Sequence, residues 1–385
     1  MKHPIGLIAI LLLLVPGHLM AQSDTTLVSG PLPEAKADLL LADTTGAVVG
    51  TATDASTGTP LAGAHAFVGE TMIGTATDAD GRFELTNVPP GPHTLWISMI
   101  GFEPEKQDFM VGDTTSFTFD LALEPMVLEL GEVTVNARKD RRWRKRYNTF
   151  ERLFLGESDL SDFVTITNKE VLDFDANWLG RFSAKAAESL LIENEALGYR
   201  VQYVLKEFSR EGITIRYDGD PFFEEMEPAT AEQALMWDEN RKAAFLGSFK
   251  HFLLALLKGN TYEAGFRLKQ IPSVDDIRNQ NRRFSIDPDD LLRAGEKPGD
   301  LLLAFRGVIE ITYVNEYEGA DYQKWQGSSP HRRQQHQRSW IRLTTGPTLI
   351  DPIGEIVDPY GVTVYGYYAF ERVANDLPKE YRIDG

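Results

Sequence analysis

The chain has 385 residues, with 39 Lys plus Arg against 57 Asp plus Glu, seven His and no Cys. A formal net charge of -18 argues against a general nucleic-acid binder, whose phosphate contacts need a basic surface. The missing thiols exclude disulfides, thiolate metal sites and a lipid anchor on an N-terminal cysteine, so the fold must rest on ordinary apolar cores.

The first residues, MKHPIGLIAILLLLVPGHLMAQ, carry Lys2, an apolar run from Leu7 to Val15, and the small residue Ala21 before Gln22. This is the pattern of a secretory signal peptide over residues 1–21. The run is too short for the roughly 30 Å of a bilayer's hydrocarbon. The best later stretch, Phe252 to Leu257, is shorter still. An exported protein is expected, in the periplasm or peripherally at an outer membrane, with no lipid anchor and no transmembrane helix. Residues 22–46, rich in Ser, Thr, Asp and Pro, are expected to be a disordered leader.

From residue 47 to 124 short β-branched runs alternate with turn residues, the pattern of a β-sandwich. Strands are predicted at Val48–Asp54, Ala64–Val68, Met72–Asp78, Arg82–Val88, His93–Met99 and Ser116–Leu123. Asp78-Ala79-Asp80-Gly81 predicts a tight turn, because Gly accepts positive φ and Asp bonds its own backbone. That account of Asp78 and Asp80 is preferred to a calcium loop, which needs further acidic ligands. Leu95, Ile97 and Met99 share one face. Trp96 therefore lies on the other, where it could stack on a sugar or be covered by a second domain; cover is expected.

The residues GTATD…GTPLAGAH, then GTATDADGRFELTNVPPG, then IGF resemble the carboxypeptidase regulatory-like family over Val48 to Leu123, about a fifth of the chain. The resemblance implies a seven-stranded, transthyretin-like sandwich. It does not bring the peptidase. The zinc carboxypeptidases hold their metal with a His-x-x-Glu pair and a distant His. No His here is followed three residues later by Glu, and none begins His-Glu-x-x-His. His331 and His336 do not converge at helix or strand spacing. No metal or cofactor is expected. LELGEVTVNA, Leu128 to Ala137, is similar to the segment that follows such a sandwich in TonB-dependent outer-membrane receptors. About 245 residues follow, too few for a plug and a 22-stranded barrel. Gly131–Asn136 is read as a strand within a connector over residues 125–140.

Arg138, Lys139, Arg141, Arg142, Arg144, Lys145 and Arg146 form a basic run. Such a cluster is attracted to anionic lipid or lipopolysaccharide phosphates. It also opens a predicted helix, RRWRKRYNTFERLFLG, whose Trp143, Tyr147, Phe150 and Phe154 recur at helical spacing toward a core. Both readings can hold on opposite faces.

Residues 141–385 are expected to form one α+β domain, which makes the whole mainly β plus α+β. Strands are predicted at Leu190–Ile192, Leu197–Phe208, Gly212–Tyr217, Leu301–Tyr317, Ser339–Leu343 and Val362–Phe370. One helical stretch, capped by Thr230 and stopped by Gly259, carries Phe245, Phe249, Phe252, Leu253, Leu256 and Leu257 as its apolar stripe. ENEALGYRVQYVLKEF, WDENRKAAFLGSFKHFLLALL and ERVANDLPKEY are similar to exported bacterial proteins that carry a domain behind this sandwich; the resemblance brings no activity with it.

Weak ligand candidates remain. His251 lies on the apolar helix and titrates near neutrality. Glu224 and Glu225 follow Phe222-Phe223 and read as solvated loop residues. No Gly-x-Ser-x-Gly, phosphate-binding or dinucleotide-binding glycine motif occurs. The expected function is a non-catalytic envelope module for an unidentified envelope protein or glycan. A glycan-directed envelope hydrolase is the alternative. It would need three or more of His251, Glu224, Glu225, His331, His336 and Asp351 in one pocket.

Overall fold

The computed structural model describes residues 45–126, 141–177, 180–296, 300–327 and 335–383. The signal peptide, most of the leader, the Gly131–Asn136 strand, Arg138, Lys139 and His331 lie outside the described residues.

The sandwich has seven strands: β1 (Gly46–Asp54), β2 (His65–Val68), β3 (Gly74–Ala76), β4 (Arg82–Val88), β5 (Gly91–Ser98), β6 (Glu105–Val111) and β7 (Ser116–Leu123). They form sheets of order β4-β1-β7 and β3-β2-β5-β6. Between the sheets lie Val48, Ala52, Ala66, Val68, Leu85, Leu95 and Ile97, all buried. The Asp78 turn is as expected. The Asp78 carboxylate accepts the N–H groups of Asp80 and Arg82 at 2.9 and 2.8 Å. Gly81 sits at φ 72°, and a Cβ there would lie 2.5 Å from the Ala52 carbonyl.

Beyond the sandwich, α1 (Arg141–Leu155) precedes β8 (Val164–Ile166), β9 (Leu172–Ala176), β10 (Phe182–Ala186), β11 (Leu190–Asn194), β12 (Tyr199–Glu211) and β13 (Thr214–Glu225). The sheet runs β8-β11-β12-β10-β9, and β13 pairs along β12. Tyr199, Val201, Tyr203 and Leu205 alternate onto one face, but Phe208 joins them only because the register shifts between Leu205 and Glu207. A bulge of this kind re-aims the side chains beyond it. That face receives α1. Phe150 meets Phe208 edge-on at 4.7 Å and Phe154 meets Tyr203 at 5.0 Å, a geometry that aromatic quadrupoles favour.

α2 (Ala231–Phe245) and α3 (Phe249–Lys258) follow. The Thr230 hydroxyl accepts the Gln233 N–H at 3.2 Å. Gly259, at φ 71°, closes α3. The predicted single helical stretch is thus two helices. Gly247 takes φ 77°, and Ser248 starts a new helix by accepting the His251 N–H at 3.1 Å. A second core forms under α3, where Phe252 and Leu256 meet Phe266, Ile309, Ile311 and Ile341. It is built on β14 (Phe266–Ile271), β15 (Phe284–Ser285), β16 (Leu292–Ala294), β17 (Leu301–Leu303), β18 (Val308–Tyr317), β19 (His336–Leu343), β20 (Thr348–Ile350) and β21 (Val362–Gly366). Their sheets have orders β15-β14-β18-β19-β21 and β16-β17-β20. Short helices α4 (Ala320–Trp325) and α5 (Tyr367–Phe370) follow β18 and β21. Two predicted strands are corrected. Leu301–Tyr317 is interrupted near Gly307, at φ 75°, and Val362–Phe370 turns helical after Gly366, at φ 74°.

Candidate functional site

Trp96 is covered, as its position on β5 implied. It is 7% exposed and packs in a cluster with Phe67, Phe222 and Val204. Its indole N–H donates to the Asp220 carboxylate at 2.6 Å, and the other Asp220 oxygen accepts the Lys206 ammonium at 2.7 Å. His65 packs edge-on against Phe222 at 4.7 Å, and Gly74 leaves room for that ring. The outer face of β2 and β5 is therefore docked on β12 and β13. Backbone bonds seal the joint: Glu70 N–H to the Pro221 carbonyl at 2.5 Å, Phe223 N–H to Thr71 at 3.0 Å and Lys379 N–H to Glu70 at 2.8 Å. The Met72 N–H donates to the Glu380 carboxylate at 2.6 Å.

The same joint buries charge. The Lys379 ammonium meets the Glu70 carboxylate, and Lys250 pairs with Glu355 at 3.0 Å. One Asp351 oxygen accepts the N–H groups of Ile353 and Glu355 at 3.1 and 2.8 Å; the other is buried without a partner. Burial pushes Asp351 up to about 6, although Lys379 opposes the shift. Burial likewise raises Asp376 to about 7 and Glu371 to about 8. Burial lowers His93 and His251 to about 4, with nearby lysines adding to the effect.

These shifts set a pH profile. A carboxyl raised in the folded state favours folding below its ordinary pKa, and that contribution is lost as pH rises through the folded value. A histidine lowered in the folded state favours folding above about 6.5 and loses that contribution as pH falls through its folded value. Thermal stability should rise as pH is lowered from about 8 toward 6.5, through the carboxyls; below 6.5 the carboxyls go on adding stability while His93 and His251 subtract it, so the gain levels off toward pH 4. Asp351→Asn should remove one carboxyl contribution, so that between about pH 6 and pH 5 the variant's melting temperature rises less on acidification than the parent's. An unchanged slope there would assign the effect to other groups.

α1 has two unlike faces. Tyr147, Phe150 and Phe154 are buried. The Trp143 indole donates to the Leu172 carbonyl at 3.1 Å, and the Arg146 guanidinium donates to the Phe174 carbonyl at 2.9 Å. Arg141, Arg142, Arg144 and Lys145 are exposed. An open depression of about 520 Å³ is lined by Arg141, Arg144, Lys145, Asn148, Thr149 and Arg152. The structure thus separates the basic run: Arg146 is tied to the β9 backbone, while Arg141, Arg144 and Lys145 share a stripe with Arg152.

The remaining candidates are not brought together. His251 is packed among Phe245, Phe266 and Tyr313, and its Nδ1 accepts the Gly247 N–H at 3.1 Å. Glu224 and Glu225 end β13 rather than lying in a loop, a correction, and Glu225 pairs with Arg241 at 2.6 Å. His336 stacks on Tyr317 at the start of β19. Asp351 belongs to the joint. Among the described residues no group of three or more His, Asp or Glu side chains could hold a metal ion.

The region of the sandwich is similar to a known family. Residues 48–135 match the CarboxypepD_reg-like domain. No curated protein sequence matches the chain. Solved structures similar to it include the group B streptococcus pilus 2b backbone protein, 16% identical, and the major pilin subunit of Bacillus cereus, 12% identical. Each match covers 21% of this chain and has a TM-score of 0.19; the chain spans 41% and 30% of those two proteins. A 5-hydroxyisourate hydrolase from Klebsiella pneumoniae is 24% identical over 21% of this chain and 90% of its own, with a TM-score of 0.18. The CarboxypepD_reg-like match runs past Leu123, where the sandwich's last described strand ends.

Two features escaped the sequence reading. Arg152 lies eleven residues after Arg141, about three helical turns, and extending the helical period would have found it. The joint around Lys379 and Asp351 had no such signal, because its members are separated by up to about three hundred positions.

Proposed function

We propose that the chain is an exported, non-catalytic envelope protein, a binding or scaffolding module built by fusing a CarboxypepD_reg-like sandwich to an α+β body. The observation that carries this reading is the docked joint. The sandwich's aromatic-bearing face, where a glycan could have stacked, is used up by internal packing against β12 and β13. Among the described residues, what remains open is a charged surface, and the candidate acid, base and nucleophile groups do not converge in a cleft. Its partner is an envelope protein or glycan, with peripheral attachment at an anionic surface. No helix of the described residues is long and apolar enough to cross a membrane.

Two measurements test the reading. In fractionated cells the mature protein should begin at Gln22 and appear in the periplasm or in a salt-extractable membrane fraction. Recovery of the full-length chain from the cytoplasm would sink the export reading. The purified protein should hydrolyse none of a broad panel of glycoside, ester and peptide substrates. Turnover abolished by His251→Ala or Glu225→Gln would replace the module with an envelope hydrolase.

A further inference from the structure

We propose that α1 docks the protein on an anionic phospholipid bilayer through the stripe of Arg141, Arg144, Lys145 and Arg152. The proposal deepens the envelope reading by naming the surface to which the protein attaches.

Positions 141, 144, 145 and 152 fall on one side of a helix, because 3, 4 and 11 residues are close to whole turns. At 1.5 Å per residue the stripe is roughly 16 Å long. It cannot rotate inward. Tyr147, Phe150 and Phe154 fix the opposite face in the first core, and the Trp143 and Arg146 bonds to β9 carbonyls lock the helix about its axis. The cations are thus held outward by packing.

They are also available. Among the described residues no carboxylate pairs with Arg141, Arg144 or Lys145, and Arg152 shares a 3.1 Å contact with the partly exposed Glu157. This is uncommon for a chain with net charge -18, in which acidic side chains are plentiful. Three of the four cations are arginines, whose planar guanidinium donates two parallel bonds to phosphate oxygens. The Asn148 side chain adds a neutral donor between them.

The lining of the depression favours a membrane over an acidic protein. No apolar side chain lies in it. Protein interfaces draw their affinity from a desolvated, charge-depleted centre with aromatic or aliphatic anchors, and this stripe has none. A bilayer needs only charge: each Lys or Arg near an anionic lipid surface strengthens binding roughly fivefold.

The test uses the purified mature chain and sedimentation with two vesicle preparations, phosphatidylcholine alone and phosphatidylcholine mixed with phosphatidylglycerol. The chain should sediment with the anionic vesicles at low salt, remain in solution with the neutral ones, and be released by high salt, since screening weakens exposed charge contacts. The double variant Arg144→Ser, Arg152→Ser should weaken vesicle binding roughly 25-fold with an unchanged melting temperature. Arg200→Ser, an exposed arginine of β12 paired with Glu193, should leave binding intact. Equal binding to neutral vesicles, or full binding by the double variant, would overturn the proposal. So would low-salt self-association without vesicles that the same double variant abolishes, because the stripe's partner would then be a second copy of the chain. Export plays no part in this measurement. A protein that binds anionic vesicles but stays in the cytoplasm defeats only the envelope reading, and an exported protein that ignores them defeats only the docking.

Discussion

Arg283→Met should destabilise the fold by about 3–5 kcal/mol, the range for removing one partner of a buried ion pair. Arg283 and Glu310 are 9% and 7% exposed, and their closest approach is 2.9 Å. The Arg283 Nε donates to both Glu310 oxygens, and a second guanidinium nitrogen donates to the Ile277 carbonyl at 2.6 Å. Trp340 completes the site by donating its indole N–H to Glu310 at 3.0 Å. Without the guanidinium, the Glu310 charge would stay on the central strand β18 with only the indole to solvate it. Chemical denaturation should therefore show a lower midpoint at neutral pH. The pair Arg283→Met, Glu310→Gln should be more stable than Arg283→Met alone, because no charge is stranded. If the double variant were the weaker of the two, the loss would come from packing around the arginine stem rather than from the stranded carboxylate charge.

Phe222→Ala is expected to cost about 3–5 kcal/mol at the joint, the range for deleting a buried aromatic ring. The ring is 5% exposed and fills the space between Phe67, at 5.2 Å, and His65. Its loss leaves a void beside Gly74, where no side chain can move in. The effect should differ in kind from a core deletion such as Phe154→Ala, which loosens the first core beneath α1. Phe222→Ala weakens the coupling between the sandwich and the body, so calorimetry should resolve two transitions where the parent gives one. A loss under about 1 kcal/mol with a single sharp transition would mean that backbone bonding at Glu70 and Phe223, not the aromatic cluster, holds the joint.

Much of this arrangement is legible in the residues themselves. Arg82–Val88 and Ser116–Leu123 are strands to the residue because alternation and flanking turns agree. Thr230 and Gly259 cap their helices for local reasons of hydrogen bonding and left-handed backbone. Trp96 could be assigned a cover because an indole opposite Leu95 and Ile97 needs one. β6 was not predicted: EKQDFMV buries only Phe109 and Val111, so the alternation that marks a strand starts too late. The expected strand Gly212–Tyr217 is shorter than β13, which runs on through Gly219 and Pro221. The strand continues because it lies at a sheet edge, where Pro need not donate to a ladder. The break at Gly247 was hidden by an apolar stripe that continues across it. The basic stripe was half legible, since the run stops at Arg146 while the helix carries on to Arg152. The joint was the least legible of all: nothing local in Lys379 points to Glu70, or in Glu380 to Met72.

That distance has a consequence for the protein's making. The Met72 N–H finds its acceptor 308 residues later, at Glu380, and Glu70 waits for Lys379. The sandwich core is lined from within residues 48–123, whereas the partners of its outer face lie 124 and 308 positions further along the chain. Phe67 and Trp96 gain their cover from Phe222, on a strand far along the chain. The joint is thus closed by contacts of high sequence separation, the class that forms slowly in folding.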